Sequence, residues 1–241
     1  WEGRECNIRD REECVEAMRL LARLHGDLTF TPVFPEVEGV PAPVIDRYLP
    51  SRDYEKHNRE LKRARRFLKQ RSQKTWFEIR LSAVIDPFLE EARQLSEEWK
   101  EIETTAGNRG EEPMCFCHGD YQYHNILRQD RGFFLVNFEK CQADGPVRDL
   151  YLLLRKLLEK CEWDTEWGRV LLAAYESVRP LKPYERQDLF YRLSYPEKLW
   201  KIVNFYYNSG KAWIPEKNQE KLDRLLEQEA ARKKFLKMLQ K

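Results

Sequence analysis

Two short stretches carry the residues whose types and spacing could do chemistry. The first, CHGDYQYHNIL over residues 117–127, sets Asp120 in a polar segment with Asn125 five residues on. The second, FFLVNFEK over residues 133–140, sets Asn137 and Glu139 two apart. Phosphoryl transfer asks little covalent chemistry of a protein. It needs a carboxylate to orient and accept the proton of an attacking hydroxyl, and ligands for one or two Mg²⁺ ions that neutralise nucleotide phosphates. Magnesium takes oxygen ligands, a few carboxylates plus water. Asp120 suits the proton acceptor, and Asn125 can offer an amide oxygen to a metal. Residues two apart on a strand point to one side, so Asn137 and Glu139 are expected to place two oxygens on one ion. His118 and Gly119 are expected to shape the turn. Tyr123 and His124 either line the substrate side of the loop or pack.

Elements on both sides must position this cluster. The apolar run 114–117 reads as a buried strand, and residues 126–128 and 133–138 as two short strands joined through Asp130, Arg131 and Gly132. Gly132 can supply the positive φ of a tight hairpin. The remainder is helical. Residues 10–24 carry Cys14, Met18, Leu21 and Leu24 at helical spacing, and Asp10 with Glu13 resembles a capping box. Residues 31–50 hold five prolines and are expected to be loop. Residues 58–74 form a basic helix whose Lys62, Arg63, Arg65, Arg66, Lys69 and Arg71 make either a solvated face or a surface for an acidic partner. Residues 82–103 form a longer helix with Pro87 in its first turn. Later helices are expected over 147–160, 165–178, 184–208 and 216–240, the third kinked or split at Pro196. Trp163, Trp167, Trp200 and Trp213 read as core residues, and Lys233, Lys234, Lys237 and Lys241 as a solvated face. The pattern predicts a predominantly helical α+β chain whose small β-hairpin holds side chains in place.

Composition excludes several classes. Across 241 residues, 43 basic and 41 acidic residues nearly cancel to +2, so no global field points to nucleic acid or a membrane surface. No apolar run reaches the 18 or so residues of a membrane span. The six cysteines are scattered and read as reduced thiols. Cys115, Cys117 and His118 suggest a metal, but structural zinc needs four ligands and no second cysteine pair is visible. These residues read instead as part of a buried strand.

His118-Gly119-Asp120 followed by Asn125 resembles the H-G-D-x-x-x-x-N loop of the aminoglycoside phosphotransferase and choline kinase superfamily, and Val136-Asn137-Phe138-Glu139 lies where that superfamily carries its metal segment. Trp1 to Cys6, Leu21-Ala22-Arg23-Leu24-His25, Pro146-Val147-Arg148-Asp149-Leu150, Leu199-Trp200-Lys201, Tyr206 to Ser209 and Trp213-Ile214-Pro215 are similar to the CotS branch, kinase-like proteins associated with the spore coat of endospore-forming bacteria. The resemblance runs over nearly the whole chain. It implies that Asp120 is the catalytic base, Asn125 a metal ligand, Glu139 the second acidic position of the metal segment, and Asp149 a helix-start aspartate that supports the loop by hydrogen bonding. His118 is mostly structural in that superfamily. Mg and ATP are the implied cofactors of an active member. Asn137 departs from the pattern, which has an aspartate there that chelates Mg²⁺. A metal held on the phosphates is worth several kcal/mol of transition-state stabilisation, and about 1.4 kcal/mol is tenfold in rate.

The resemblance further implies the C-terminal lobe of a protein-kinase-like fold over residues 7–241. On that resemblance residues 1–6 are expected to be a hinge remnant, and the N-terminal nucleotide-binding lobe, with its strand lysine and phosphate loop, is expected to be absent. This chain alone is therefore expected to lack phosphotransferase activity. The leading expectation is a spore-coat pseudokinase or binding module of the mother-cell cytoplasm and the coat. Its partners are expected to be other coat proteins, or a second copy pairing through the uncovered lobe face. The alternatives are an active ATP- and Mg-dependent kinase of small molecules or proteins and, with less support, an antibiotic phosphotransferase of the aminoglycoside type.

Overall fold

In a computed structural model, residues 3–31, 50–105, 114–130, 132–208 and 215–240 are described. Helix α1 (Arg11–Asp27) is started by Asp10, whose carboxylate accepts from the backbone N–H groups of Glu12 and Glu13 at 2.9 and 3.3 Å. Glu13 does not close the expected box. Its carboxylate accepts from the Asn7 N–H at 2.8 Å and pairs with Arg4, because a guanidinium is a stronger partner than a neutral amide. Arg4 holds the Glu13 carboxyl below its usual range. Arg4 lies on strand β1 (Arg4–Glu5), so part of the expected hinge segment runs as a strand.

Among the described residues the strands form two antiparallel sheets of three strands. One has the order β1-β4-β5, with β4 (Ile126–Gln129) and β5 (Gly132–Leu135) forming the expected hairpin. Gly132 there has φ 129°. The other has the order β2-β3-β6, built from β2 (Thr29–Phe30), β3 (Met114–Cys117) and β6 (Gln142–Asp144). On β3, Cys115 and Cys117 are fully buried while Phe116 between them is exposed, as strand alternation requires. Strand β5 ends at Leu135 rather than at 138, because Asn137 takes a left-handed conformation at φ 63°. Asn137 and Glu139 therefore lie beyond the ladder, and strand alternation does not place them.

Helices α2 (Pro50–Gln70) and α3 (Trp76–Thr105) both begin earlier than their apolar spacing suggests. Pro50 opens α2 with its φ already suited to a first turn. At the start of α3 a reciprocal cap forms. Thr75 Oγ1 accepts from the Glu78 N–H at 3.2 Å, and the Glu78 carboxylate accepts from the Thr75 N–H at 2.8 Å. Pro87 consequently lies inside α3, not in its first turn. Flanking Ile85, Phe88 and Leu89 are all buried, and that burial holds the helix through the missing hydrogen bond.

Helix α4 (Val147–Lys160) has the expected bounds. Helices α5 (Thr165–Glu176) and α8 (Pro215–Leu239) differ from expectation by a residue or two at their ends. Pro196 splits the expected long helix into α6 (Pro183–Ser194) and α7 (Glu197–Asn208). Trp163 is buried but sits in a turn at φ 58°, not on a helix. Trp167 is half-buried beneath the Arg11 guanidinium at 4.9 Å, and Trp200 stacks on His57 with centroids 3.4 Å apart. Trp213 and the expected break at 107–112 lie outside the described residues, as does most of the proline-rich segment.

The chain divides into two units. The first, residues 1–48, 108–190 and 234–241, holds both sheets with α1, α4 and α5. The second, residues 49–107 and 191–233, has a core of Leu61, Leu81, Ile85, Phe88, Leu199 and Ile202 among others. In this second unit, Arg65 and Arg71 of the basic helix pair with Asp86 and Glu78, while Lys62, Arg63, Arg66 and Lys69 stay exposed. Among the described residues, no helix is long and apolar enough to cross a membrane.

In the first unit, Gly168 of α5 leaves room for a ring. A Cβ there would stand 2.3 Å from Phe235 Cε2 and 2.9 Å from Leu158 Cδ2. Gly168→Ala should gain about 1 kcal/mol in helix propensity but cost about 1–3 kcal/mol in overpacking. A lowered urea midpoint with an unchanged slope is the expected result, and an unchanged or raised midpoint would show that Phe235 yields freely.

Candidate functional site

The loop after β3 is held by one carboxylate. Asp149, fully buried in the first turn of α4, accepts from the His118 N–H at 2.5 Å and the Gly119 N–H at 2.9 Å. Gly119 has φ 77°, and a Cβ there would stand 2.1 Å from the Lys140 carbonyl oxygen, so only glycine fits. The His118 ring is locked next. Its Nδ1 accepts from the Asp120 N–H at 3.2 Å, so Nε2 carries the hydrogen and donates it to the Val136 carbonyl at 2.8 Å. Phe138 and Tyr121 close over the ring, with centroids 4.5 and 6.0 Å away. His118 thus joins the loop to the segment after β5 and has no nitrogen left for chemistry.

Asp120 is partly exposed and has two partners. Lys140 Nζ donates to its Oδ2 at 2.8 Å, and Gln122 Nε2 donates to its Oδ1 at 2.5 Å. The Lys140 ammonium foremost, and then Gln122, hold the Asp120 carboxyl below the usual carboxylate range, against the opposing effect of partial burial. A carboxylate so stabilised is a weaker proton acceptor than a free one.

Asn125 is buried at the end of a 3₁₀ turn (Tyr123–Asn125). Its Nδ2 donates to the Asp120 carbonyl at 2.8 Å, which leaves Oδ1 facing Asn137. Asn137 Nδ2 donates to that oxygen at 2.8 Å. The orientation of both amides follows from the network, since the Asn125 oxygen can be satisfied only by a donor. The structure therefore brings Asp120, Asn125 and Asn137 together. Glu139 is exposed in the turn beyond them, closed by the Cys141 N–H to the Phe138 carbonyl at 2.9 Å.

This arrangement does not fit a magnesium ion. Oxygen ligands must converge on a cation, yet Asn137 presents N–H to the oxygen that Asn125 would contribute. The positive charge beside Asp120 is a lysine ammonium instead. Sequence reasoning missed Lys140 and Gln122. Gln122 follows Asp120 by two, a spacing at which a polar side chain reaches back easily. Lys140 reaches Asp120 only because the left-handed Asn137 turns the chain.

Comparison with known proteins agrees with this architecture. Residues 90–239, more than half of the chain, match the family described as "Spore coat putative kinase YutH". Spore coat protein S of Bacillus subtilis (strain 168) is 32% identical over 123 residues, which is 50% of this chain and 35% of that protein. The match thus spans about a third of the relative's length. Among solved structures, an aminoglycoside phosphotransferase from Alicyclobacillus acidocaldarius superposes with a TM-score of 0.80 at 19% identity, covering 100% of this chain and 69% of that one. A choline/ethanolamine kinase family protein from Mesorhizobium loti superposes with a TM-score of 0.52 at 14% identity, covering 98% and 69%. At these identities the likeness shows the fold, the C-terminal lobe of a protein-kinase-like phosphotransferase. The loop pinned by Asp149, the helical body and the matched residues together assign the chain to the spore coat putative kinase YutH family.

Proposed function

We propose that this protein serves spore-coat assembly as a kinase-like binding module whose metal site has been replaced by a hydrogen-bonded cluster. The observation that carries this reading is the Asn137 amide donating to Asn125 Oδ1 at 2.8 Å. With an aspartate at 137, two oxygens would face each other and require a cation between them. With an amide the pair is satisfied by itself, and the site keeps its shape without metal. Lys140 supplies the balancing charge for Asp120 at no cost in ligand uptake. On this reading residues 7–241 act as the C-terminal lobe and 1–6 as the hinge, and the partners are other coat proteins or a second copy. The working locations are the mother-cell cytoplasm and the coat.

A second reading has an observation of its own. Asp120 and Asn125 are held in place by the His118–Asp149 frame, and Glu139 lies exposed nearby, so an active kinase could draw Mg²⁺ and ATP to Asn125 and Glu139 after a rearrangement of Asn137. Antibiotic phosphorylation has no support beyond the fold, which says little about substrate.

Turnover separates the two. ATP hydrolysis or transfer by the full protein with Mg²⁺ should be at least about 100-fold slower than in its Asn137→Asp variant, since a phosphate-bound metal is worth several kcal/mol. Wild-type turnover near the 1–100 s⁻¹ typical of kinases, abolished by Asp120→Ala, would establish the active enzyme instead.

The lysine has its own signature. The Asp120 carboxyl should titrate below the ordinary aspartate value, and Lys140→Ala should raise it, as followed by carboxyl NMR shifts. A depressed carboxyl stabilises the fold above its unfolded value and loses that contribution as pH falls through the folded one. The variant should therefore lose less stability than wild type on acidification below the ordinary aspartate value. An Asp120 titration unmoved by Lys140→Ala would show that the ion pair does not form in solution.

A further inference from the structure

A second cluster lies in the first unit, away from the oxygen donors of the loop. Among the described residues, His25 at the end of α1 and Cys115 and Cys117 on β3 have their ligating atoms within 4.8 Å of one another. All three are fully buried. The cysteines, two apart on one strand, project to one face. His25 Nδ1 meets the Tyr175 hydroxyl at 2.8 Å, while its buried Nε2 has no hydrogen-bond partner. Asp149 Oδ2 lies 3.7 Å from that nitrogen, beyond hydrogen-bond length. A buried ring nitrogen without a partner is costly, and here it faces two thiols and a carboxylate.

We infer that this cluster binds a thiophilic divalent cation of the zinc class, through His25 Nε2, Cys115 Sγ and Cys117 Sγ, with Asp149 Oδ2 as the fourth ligand. Tetrahedral zinc, about 2.3 Å from sulfur and about 2.1 Å from nitrogen or oxygen, sets its ligand atoms about 3.4–3.8 Å apart. The His25–Asp149 separation of 3.7 Å lies in that range, and the ligand atoms of His25, Cys115 and Cys117 need to close on one another by about 1 Å at most. Two thiolates and an imidazole select zinc over magnesium by softness. Tyr175 would orient the imidazole through Nδ1, as outer partners of metal-bound histidines do.

Charge supports the assignment. The hydrogen bond to Cys115 and burial push the Cys117 thiol above its ordinary range, while the same hydrogen bond lowers the Cys115 thiol. On binding, each thiol releases its proton to solvent and the dication offsets the two thiolates. Arg179, which donates to the Tyr175 hydroxyl at 3.4 Å and pairs with Glu185 at 2.6 Å, acts on the cluster by lowering the Cys115 thiol. The ion would fasten the end of α1 to β3 and to the carboxylate that pins the loop. It is independent of the magnesium question, since it uses none of Asp120, Asn125, Asn137 or Glu139.

The test is metal content of the full 241-residue chain, purified under reducing conditions and dialysed, together with its spectrum after Co²⁺ loading. About one equivalent of zinc per chain and a thiolate-to-cobalt charge-transfer band are expected. Cys117→Ser should lower the zinc content at least about tenfold, while Cys141→Ser, at an exposed thiol, should leave it unchanged. If Cys117→Ser fails to fold, the wild-type spectrum and a fall in melting temperature on chelation still decide the matter. Folded, reduced wild type without zinc and without the cobalt band would overturn the assignment. So would zinc retained in full by Cys117→Ser, or a Cys115–Cys117 disulfide in the purified protein.

Discussion

The site depends on the two backbone hydrogen bonds that Asp149 accepts from His118 and Gly119. A buried carboxylate is costly unless its oxygens are satisfied, and backbone N–H groups are costly in the same way. Here each satisfies the other, and the helix N-terminus of α4 adds its favourable dipole. That bond pair forces the left-handed Gly119 and brings the loop against the Lys140 carbonyl. It also turns the His118 ring so that Nδ1 meets the Asp120 N–H and Nε2 meets Val136. The frame of the loop is therefore held by interactions that involve no substrate and no magnesium.

Within that frame, the polar groups at the ends of the loop pair with one another. The positions that would face a metal hold an amide donor and an amide acceptor, and the carboxylate that would take a proton holds an ammonium. Each of these pairs is complete within the chain. On the proposed reading, retention of the fold and loss of the magnesium site are compatible, because Asp149 carries the loop's geometry. This accounts for a chain that belongs to a spore-coat family and shares its architecture with phosphotransferases.

Much of this was readable from the sequence where signals are local. The loop spacing, the hairpin through Gly132, the bounds of α4 and the break at Pro196 follow from turn and helix rules. The role of Asp149 came through resemblance, since nothing local joins residue 149 to residue 118. Apolar spacing alone hides the starts of α2 and α3, although Thr75 and Glu78 spell a capping box. Residues 133–138 read as one β run, yet Asn137 leaves the ladder in a left-handed turn that asparagine tolerates and sequence does not announce. The partnership of His25 with the cysteines spans 90 residues and required the fold. His118, adjacent to Cys117 in sequence, faces Val136 instead.

The central claim is that an amide pair stands where a metal would bind. The most direct test follows the side-chain amide NMR signals of Asn125 and Asn137 while Mg²⁺ is titrated into the protein to millimolar levels. The account predicts that neither signal moves in wild type, and that in Asn137→Asp the Asn125 signal shifts and saturates. A saturating shift of both amides in wild type would contradict it, because it would mean that Asn137 turns its oxygen to the ion and the site is still a metal site.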